Sequence, residues 1–202
     1  MTAVAPRLGL FGGTFDPPHN AHVALARNAI AELGLDKLYI LPTGQPWHRG
    51  QASSAAIHRV AMARLAFEDV TGAVVDARET LRPGATYTAD TLQELRAEHP
   101  AAQWHLLIGA DQALAFTQWQ RWQELVAHAI ICIAQRDHST PASEVFSSKF
   151  GPKSQIRLLQ TPWMPVSATD IRQRVAHGLG VSHLVPEAVA RYIVDHSLYQ
   201  TS

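Results

Sequence analysis

Two histidines, His19 and His22, follow a glycine-rich turn in an arrangement suited to binding phosphate. An apolar segment runs into Gly12, Gly13 and Thr14, and two prolines precede the histidines. Glycine lets the backbone approach a ligand closely, and proline suits the start of a helix, where free N–H groups attract anions. Residues three positions apart share one face of a helix. The sequence therefore predicts a phosphate-binding turn after a first strand, with both imidazoles stabilising phosphate charge.

A second group of residues suited to phosphate lies in the segment 166–172. Ser167 is placed to cap a helix, Thr169 adds a hydroxyl, and Arg172 offers a planar fork that fits phosphate oxygens. Taken alone, this pattern is more typical of a capped helix with a surface arginine. Together with the glycine-rich turn, it favours a second phosphate-binding helix start.

A third group combines hydroxyl, carboxylate and aromatic side chains. Tyr87 and Thr88 begin one helical pattern, Gly109 and Asp111 follow an apolar run, and Trp119 lies in the next amphipathic segment. Taken separately, these residues are typical of a helix cap, a turn and a core aromatic. The loop 43–55 and the polar loop 137–154 are the main irregular segments, and long loops of this kind often cover a ligand.

Composition argues against several classes of protein. The 202 residues include 17 basic and 17 acidic side chains, a formal net charge of zero that does not favour a nucleic-acid partner. The single cysteine, Cys132, lies in an apolar run and is expected to be a buried, reduced thiol. No leader pattern and no long apolar run is seen, so we expect a cytoplasmic protein without a membrane partner. The H-E-x-x-H zinc pattern, the P-loop and the G-x-G-x-x-G fingerprint are all missing.

Apolar runs alternate with amphipathic segments along the whole chain, which predicts one α/β domain over residues 1–202. The predicted strands are 8–11, 38–41, 73–76, 104–108, 130–134 and 156–159, and the predicted helices are 21–33, 57–70, 88–99, 118–128, 169–177 and 186–196. We expect a Rossmann-like, doubly wound parallel sheet in the order 3-2-1-4-5-6, flanked by helices. Ligands bind such sheets where the first and fourth strands end, and both glycine-containing turns follow those strands.

The motifs also resemble those of a known family. GGTFDPPHNAH is similar to the GxFDPxHxGH-type signature of the nucleotidyltransferase superfamily, with Ala21 in place of a usual glycine, and SATDIR is similar to its SxTxxR signature. TYTADTL, WHLLIGADQALAFTQW, TPWMPVSATDIRQR and LVPEAVARYIVDHSLY resemble bacterial nicotinate-nucleotide adenylyltransferases in order and spacing. The resemblance covers nearly the whole chain. It implies an enzyme of NAD biosynthesis that joins ATP and nicotinate mononucleotide, forming nicotinate adenine dinucleotide and pyrophosphate.

The resemblance and the motifs together assign roles to individual residues. His19, His22 and Arg172 are the predicted catalytic residues. The residues predicted to bind ATP and its phosphates are Gly12, Gly13, Thr14, Phe15, Gly109, Asp111, Arg136, Ser167 and Thr169. Those predicted to bind the nicotinate nucleotide are Thr88, Trp119, Tyr87, Thr43 and Arg49, with Thr88 toward the carboxylate and Trp119 stacked on the ring. Mg²⁺ is the expected cofactor, held mainly by ATP phosphates, and Asp16 is expected to shape the turn rather than bind a metal.

Three questions stay open at the level of the sequence. The substrate could be the amide, nicotinamide mononucleotide, instead of the acid, or another phosphate compound such as phosphopantetheine, which the match at Thr88 and Trp119 disfavours. The chain could instead be a dinucleotide-sensing module that has lost catalysis, although His19, His22 and Arg172 are all present. The oligomeric state is not indicated.

Overall fold

A parallel sheet of six strands forms the centre of the protein. The computed structural model describes residues 4–46, 53–135, 156–161 and 164–200. Its strands are β1 (Arg7–Gly13), β2 (Lys37–Pro42), β3 (Gln45–Pro46), β4 (Ala73–Val75), β5 (Ala85–Thr86), β6 (Gln103–Gly109), β7 (Ile130–Gln135) and β8 (Ile156–Gln160). The large sheet has the order β4-β2-β1-β6-β7-β8, and its neighbouring strands all run parallel. The predicted strands and their order are confirmed. The two-residue strands β3 and β5 form a small separate sheet, which the sequence did not predict.

Helices connect the strands of the sheet. They are α1 (Asn20–Leu33), α2 (Ala56–Phe67), α3 (Arg78–Leu81), α4 (Thr88–Glu98), α5 (Ala110–Leu114), α6 (Trp122–His128), α7 (Ala168–Ala176) and α8 (Glu187–Asp195). Gly34 adopts a left-handed conformation after α1, as expected of a glycine that ends a helix. None of the helices in these described segments is long and apolar enough to cross a membrane.

Each face of the sheet carries its own core, because side chains alternate along a strand. Leu8 and Leu10 of β1 pack with α4, α5 and α6, whereas Phe11 packs with α1, α2, α7 and α8. Cys132 is fully buried in the core on the Phe11 side, and burial raises the pKa of its thiol to about 12. The thiol is therefore an inert core group, as its apolar surroundings in the sequence predicted.

The predicted helix 118–128 is wrong in its first turn. A short 3-10 turn, Phe116–Gln118, is followed by Trp119 in an extended conformation and by Arg121 with a positive φ of 56°, and α6 starts only at Trp122. The guanidinium of Arg121 bonds to Asp90 of α4 and to Glu124 of α6. Arg121 thus joins α4 to α6 at a residue whose backbone conformation local propensity disfavours. The break separates Trp119 from the helix and directs it toward the carboxyl end of the sheet.

Candidate active site

The two histidines lie together where β1 gives way to α1. His19 is the N-cap residue of α1, and its backbone N–H donates to His22 Nδ1 at 3.2 Å. The imidazole rings stack with centroids 3.6 Å apart and an angle of 19° between their planes. Because His22 Nδ1 accepts a hydrogen bond, its neutral ring carries the proton on Nε2 and can donate from there. The helix start thus presents a histidine donor beside backbone N–H groups, as the sequence predicted.

Phe15 packs against this turn from the side of the core. Its backbone has a positive φ of 51°, and its ring packs at right angles to Phe11 and, more tilted, against His22 and Phe67, with centroids 5.2–5.7 Å away. The residue is only 2% exposed and is not among those that line the cavity, so Phe15 packs underneath the turn rather than at its surface. A Cβ at Gly13 would lie 2.9 Å from this ring, which explains why the turn needs a glycine there.

Helix α7 is anchored to the same turn. Ser167 is its N-cap, and the Ser167 hydroxyl accepts from the backbone N–H of Asp170 at 3.1 Å, as predicted. Arg172 Nη1 donates to the backbone carbonyl of Asp16 at 2.7 Å, and Nη2 donates to Thr169 Oγ1 at 3.3 Å. The guanidinium therefore holds the segment that leads into His19.

A cavity of about 390 Å³ opens where the carboxyl ends of β1 and β6 meet. Most of the residues with predicted roles line it: Gly12, Gly13, Thr14, His19, His22, Thr43, Tyr87, Thr88, Gly109, Asp111 and Trp119. Phe15, Ser167, Thr169 and Arg172 are not among the lining residues, although Val166 is. Arg49, Arg136 and the loop 137–154 lie outside the described residues. The structure thus brings the glycine-rich turn, the start of α4 and Trp119 to one cavity.

Thr88 and Trp119 reach this cavity from two elements that are tied to each other. Thr88 is the first residue of α4, with Tyr87 as N-cap, and Trp119 packs beside the fully buried Phe116 with ring centroids 5.3 Å apart. The ion pair between Arg121 and Asp90 joins the Trp119 segment to the first turn of α4. An aromatic face and the positive end of a helix are therefore held in fixed relation, which suits a flat anionic ring.

Comparison with known proteins shows the family to which the chain is related. The family described as Cytidylyltransferase-like matches residues 10–174. A protein of Albidiferax ferrireducens named "Probable nicotinate-nucleotide adenylyltransferase" is 51% identical over 196 residues, covering 97% of this chain and 99% of the relative. A protein of Neisseria meningitidis serogroup B with the same name is 44% identical over 200 residues, covering 96% and 98%.

The chain belongs to the nicotinate-nucleotide adenylyltransferase family. The family membership that the motifs predicted is confirmed. Among solved structures, the nicotinic acid mononucleotide adenylyltransferase of Plasmodium falciparum complexed with NaAD matches 96% of this chain and 97% of its own, with a TM-score of 0.78 and 17% identity. At that identity the match bears on the fold, and it confirms the doubly wound sheet.

Two residues of the cavity wall in this family member were not predicted from the sequence. Glu79 of α3 is 5% exposed, and its carboxylate accepts from the Thr91 hydroxyl at 2.7 Å. Thr86 is 4% exposed, and within the described part of the chain its hydroxyl has no hydrogen-bond partner. Both residues line the cavity. A buried hydroxyl without a protein partner is costly, so the Thr86 hydroxyl is suited to a hydrogen bond with a ligand.

Glu79 gives a testable dependence of stability on pH. Burial raises the pKa of the Glu79 carboxyl above its usual 4.5. The folded protein therefore holds this proton more tightly than the unfolded chain, so this group lowers stability as the pH rises from 4.5 through the raised pKa. Glu79→Gln removes the ionisation and can still accept from Thr91. We expect the difference in free energy of unfolding between Glu79→Gln and the wild type to increase with pH in favour of the variant. The increase is at most about 1.4 kcal/mol per pH unit.

Denaturant titrations between about pH 5 and pH 8 measure this difference. Glu187→Gln, at a carboxylate on the surface of α8 that pairs only loosely with Arg191 at 3.4 Å, serves as the control and should give a much flatter difference. Parallel pH profiles for wild type and Glu79→Gln would show that Glu79 does not titrate differently in the folded state.

Proposed function

We propose that the cavity carries out the reaction for which the relatives are named, and that the residues lining it perform it. A phosphate oxygen of nicotinate mononucleotide attacks the α-phosphorus of ATP in line. The new P–O bond forms as the bond between the α-phosphorus and the bridging oxygen to the β-phosphate breaks. Nicotinate adenine dinucleotide and pyrophosphate are the products. The attacking phosphate is already anionic at neutral pH, so neither a covalent intermediate nor a strong general base is required.

The observation that carries this proposal is that two chemically different groups of residues line one cavity. The stacked His19–His22 pair and the glycine-rich turn suit a triphosphate, whereas Thr88 and Trp119 suit a flat ring that bears a carboxylate. A single cavity lined by both can align two nucleotides for direct transfer. Alignment and charge stabilisation supply most of the catalysis in reactions of this type.

The three predicted catalytic residues and Thr14 each have a part in this reaction. His19 and His22 donate to phosphate oxygens as charge moves onto the leaving pyrophosphate. Thr14 positions the triphosphate, and Arg172 holds the turn through the carbonyl of Asp16 and keeps its positive charge near the phosphate site. Asp16 itself is 5% exposed and accepts from the Ser54 N–H and the Tyr199 hydroxyl, so it acts as a structural group, consistent with the expected turn-shaping role.

Mg²⁺ fits this site as an ion carried mainly by phosphate oxygens and water. Among the described lining residues the carboxylates are Asp111 and Glu79, and Glu79 is buried against Thr91. Asp111 is therefore the side chain suited to contribute an oxygen. When bound, the ion supplies positive charge to the triphosphate.

Pyrophosphate release tests the proposal and its choice of substrate. The purified chain is incubated with ATP and Mg²⁺ and either nicotinate mononucleotide or nicotinamide mononucleotide. A carboxylate in charged hydrogen bonds is worth about 1.5–3 kcal/mol, so we expect kcat/KM to be about 10- to 100-fold higher for the acid.

The alternative results are equally informative. A preference for the amide would retain adenylyl transfer but contradict the roles of Thr88 and Trp119. Release of pyrophosphate with phosphopantetheine alone would contradict the ring pocket altogether. Binding of both nucleotides without release would identify the chain as a sensing module.

A further inference from the structure

Arg59 is a buried arginine on α2 whose side chain reaches four backbone carbonyls. It is only 2% exposed. Nη1 donates to Thr14 O at 3.0 Å and to Thr43 O at 2.6 Å. Nη2 donates to Gly44 O at 3.3 Å, and Nε donates to Ser54 O at 3.0 Å. All of these acceptors lie in connecting segments outside the helices and the large sheet.

The carbonyls belong to segments that serve two different substrates in the proposed reaction. Thr14 follows β1 in the glycine-rich turn that faces the triphosphate, and Thr43 follows β2 on the side of the mononucleotide. Both residues line the cavity. The same two segments also touch directly, because the Thr43 N–H donates to Gly13 O at 2.9 Å. Since β1 and β2 are parallel neighbours, the two segments leave the sheet side by side.

A guanidinium suits this position better than any other cation. Its planar fork of N–H donors can serve several carbonyls at fixed angles, whereas an ammonium is a compact point charge on a flexible stem. Burial lowers the pKa of Arg59, and the nearby Asp16 carboxylate opposes that shift. Asp16 is in turn fixed by the Tyr199 hydroxyl at 2.7 Å and by the Ser54 N–H at 3.0 Å. The Asp16 carboxylate thus compensates the positive charge of Arg59, and the backbone carbonyls accept its hydrogen bonds.

The backbone around Gly44 leaves little freedom for adjustment. A Cβ at Gly44 would lie 2.1 Å from the Glu79 carbonyl oxygen and 2.8 Å from Thr86 Cγ2. The segment after β2 is therefore pressed between Arg59 on one side and the wall residues Glu79 and Thr86 on the other. A shift of this segment would change the position of the proposed mononucleotide subsite relative to the proposed triphosphate subsite.

We propose that Arg59 is a positioning residue that fixes the segment after β1 and the segment after β2 in one relative position, and so sets the distance between the two reacting phosphates. The inference rests on the proposed adenylyl transfer. Each segment keeps its own contacts to its own substrate, so loss of Arg59 disturbs alignment more than binding. Misplacement by about 1 Å can lower a rate about 100-fold. The expected signature is a lower kcat with KM values for ATP and nicotinate mononucleotide that change less.

Arg59→Lys and Arg59→Ala, made in the full chain, test this role. We expect kcat per folded molecule to fall about 10- to 100-fold in both, with KM changes of about threefold or less. Guanidinium ions should restore activity to Arg59→Ala in part, because they replace the missing fork, and should not restore Arg59→Lys. Val70→Ala is the matched control. Val70 is 4% exposed and lies just before the amino end of β4, at the sheet edge opposite the cavity.

A second measurement does not depend on turnover. Amide exchange followed by NMR should show faster exchange of the Thr43 N–H in Arg59→Lys, since the 2.9 Å bond to Gly13 is no longer held in place. In Val70→Ala that amide should change only as much as global stability does. If kcat per folded molecule stays within about twofold of wild type and Thr43 exchange matches the control, the proposal is overturned. If the wild type releases no pyrophosphate, the adenylyl transfer fails, and the exchange of Thr43 still decides whether Arg59 joins the segments.

Discussion

Replacing His19 by alanine is expected to lower kcat about 100- to 1000-fold, as removal of one preorganised donor does at other sites of charge development. The fold should survive, because the hydrogen bond from His19 to His22 Nδ1 uses the backbone N–H, which alanine retains. The stacked ring, with its centroid 3.6 Å from that of His22, is lost, and the helix start then faces the triphosphate with one donor fewer. Steady-state pyrophosphate release and thermal unfolding, measured side by side, separate the two effects.

The control for His19 is a histidine of the same chain far from the cavity wall. His128 lies in the last turn of α6, is exposed and does not line the cavity. His128→Ala should match the wild type in kcat. An unchanged rate in His19→Ala would remove that residue from the catalytic group and leave the glycine-rich turn as an anion site made of backbone alone.

Arg172→Met is expected to lower kcat/KM about 10- to 100-fold, the range for losing charge-assisted hydrogen bonds of about 1.5–3 kcal/mol. Arg172 is expected to act in two ways, through its bond of 2.7 Å to the Asp16 carbonyl and, in the proposed reaction, through the attraction of its positive charge for the triphosphate. Loss of charge should raise the KM for ATP, whereas loss of the carbonyl bond should loosen the turn and lower kcat. Initial rates over a range of ATP concentrations distinguish these contributions.

Arg174→Met is the comparison variant for Arg172. Arg174 lies two residues further along α7, is likewise partly buried and, like Arg172, is not among the residues that line the cavity. Both substitutions remove one guanidinium from the same helix. If the two variants lose equal activity, the effect belongs to the overall positive charge of α7, and the specific role of Arg172 is contradicted.

The sequence was sufficient to predict the sheet because the physics that specifies it is local and periodic. Apolar runs such as the one around Cys132 read as buried strands, and the alternation with helical patterns leaves few topologies once crossovers are right-handed. The helix caps were predictable for the same local reason. Ser167 has a hydroxyl that can accept from a backbone N–H at a helix start, and Gly34 can adopt the left-handed conformation at a helix end. The positions of His19 and His22 at a strand-to-helix turn were predictable for this reason.

Other features depend on tertiary contacts that no local pattern contains. Trp119 and Trp122 have a helical spacing, yet Arg121 between them has a positive φ and pairs with Asp90 of α4, and Trp119 lies in the cavity wall. Arg59 reads as one polar residue on an amphipathic helix, because its acceptors are backbone carbonyls distant in the sequence. Glu79 and Thr86 belong to short elements that lack a periodic signal. The residues that complete the site are thus the ones whose role arises only after the sheet has formed.

The central place of β1 in the sheet shapes how the protein acquires its activity as it folds. β1 pairs on one side with β2, close in sequence, and on the other with β6, where Leu8 meets Trp104. The second pairing closes a long loop. Contacts of this kind form late, because closing the loop costs conformational entropy before packing can offset that cost. The last contact to the turn is more distant still, since Tyr199 bonds to Asp16 across 183 residues. The cavity is lined by residues from Leu10 to Val166, so it is complete only when both halves of the chain have packed together. We therefore expect a partly made chain to lack catalytic activity even where its first strand and helix have formed.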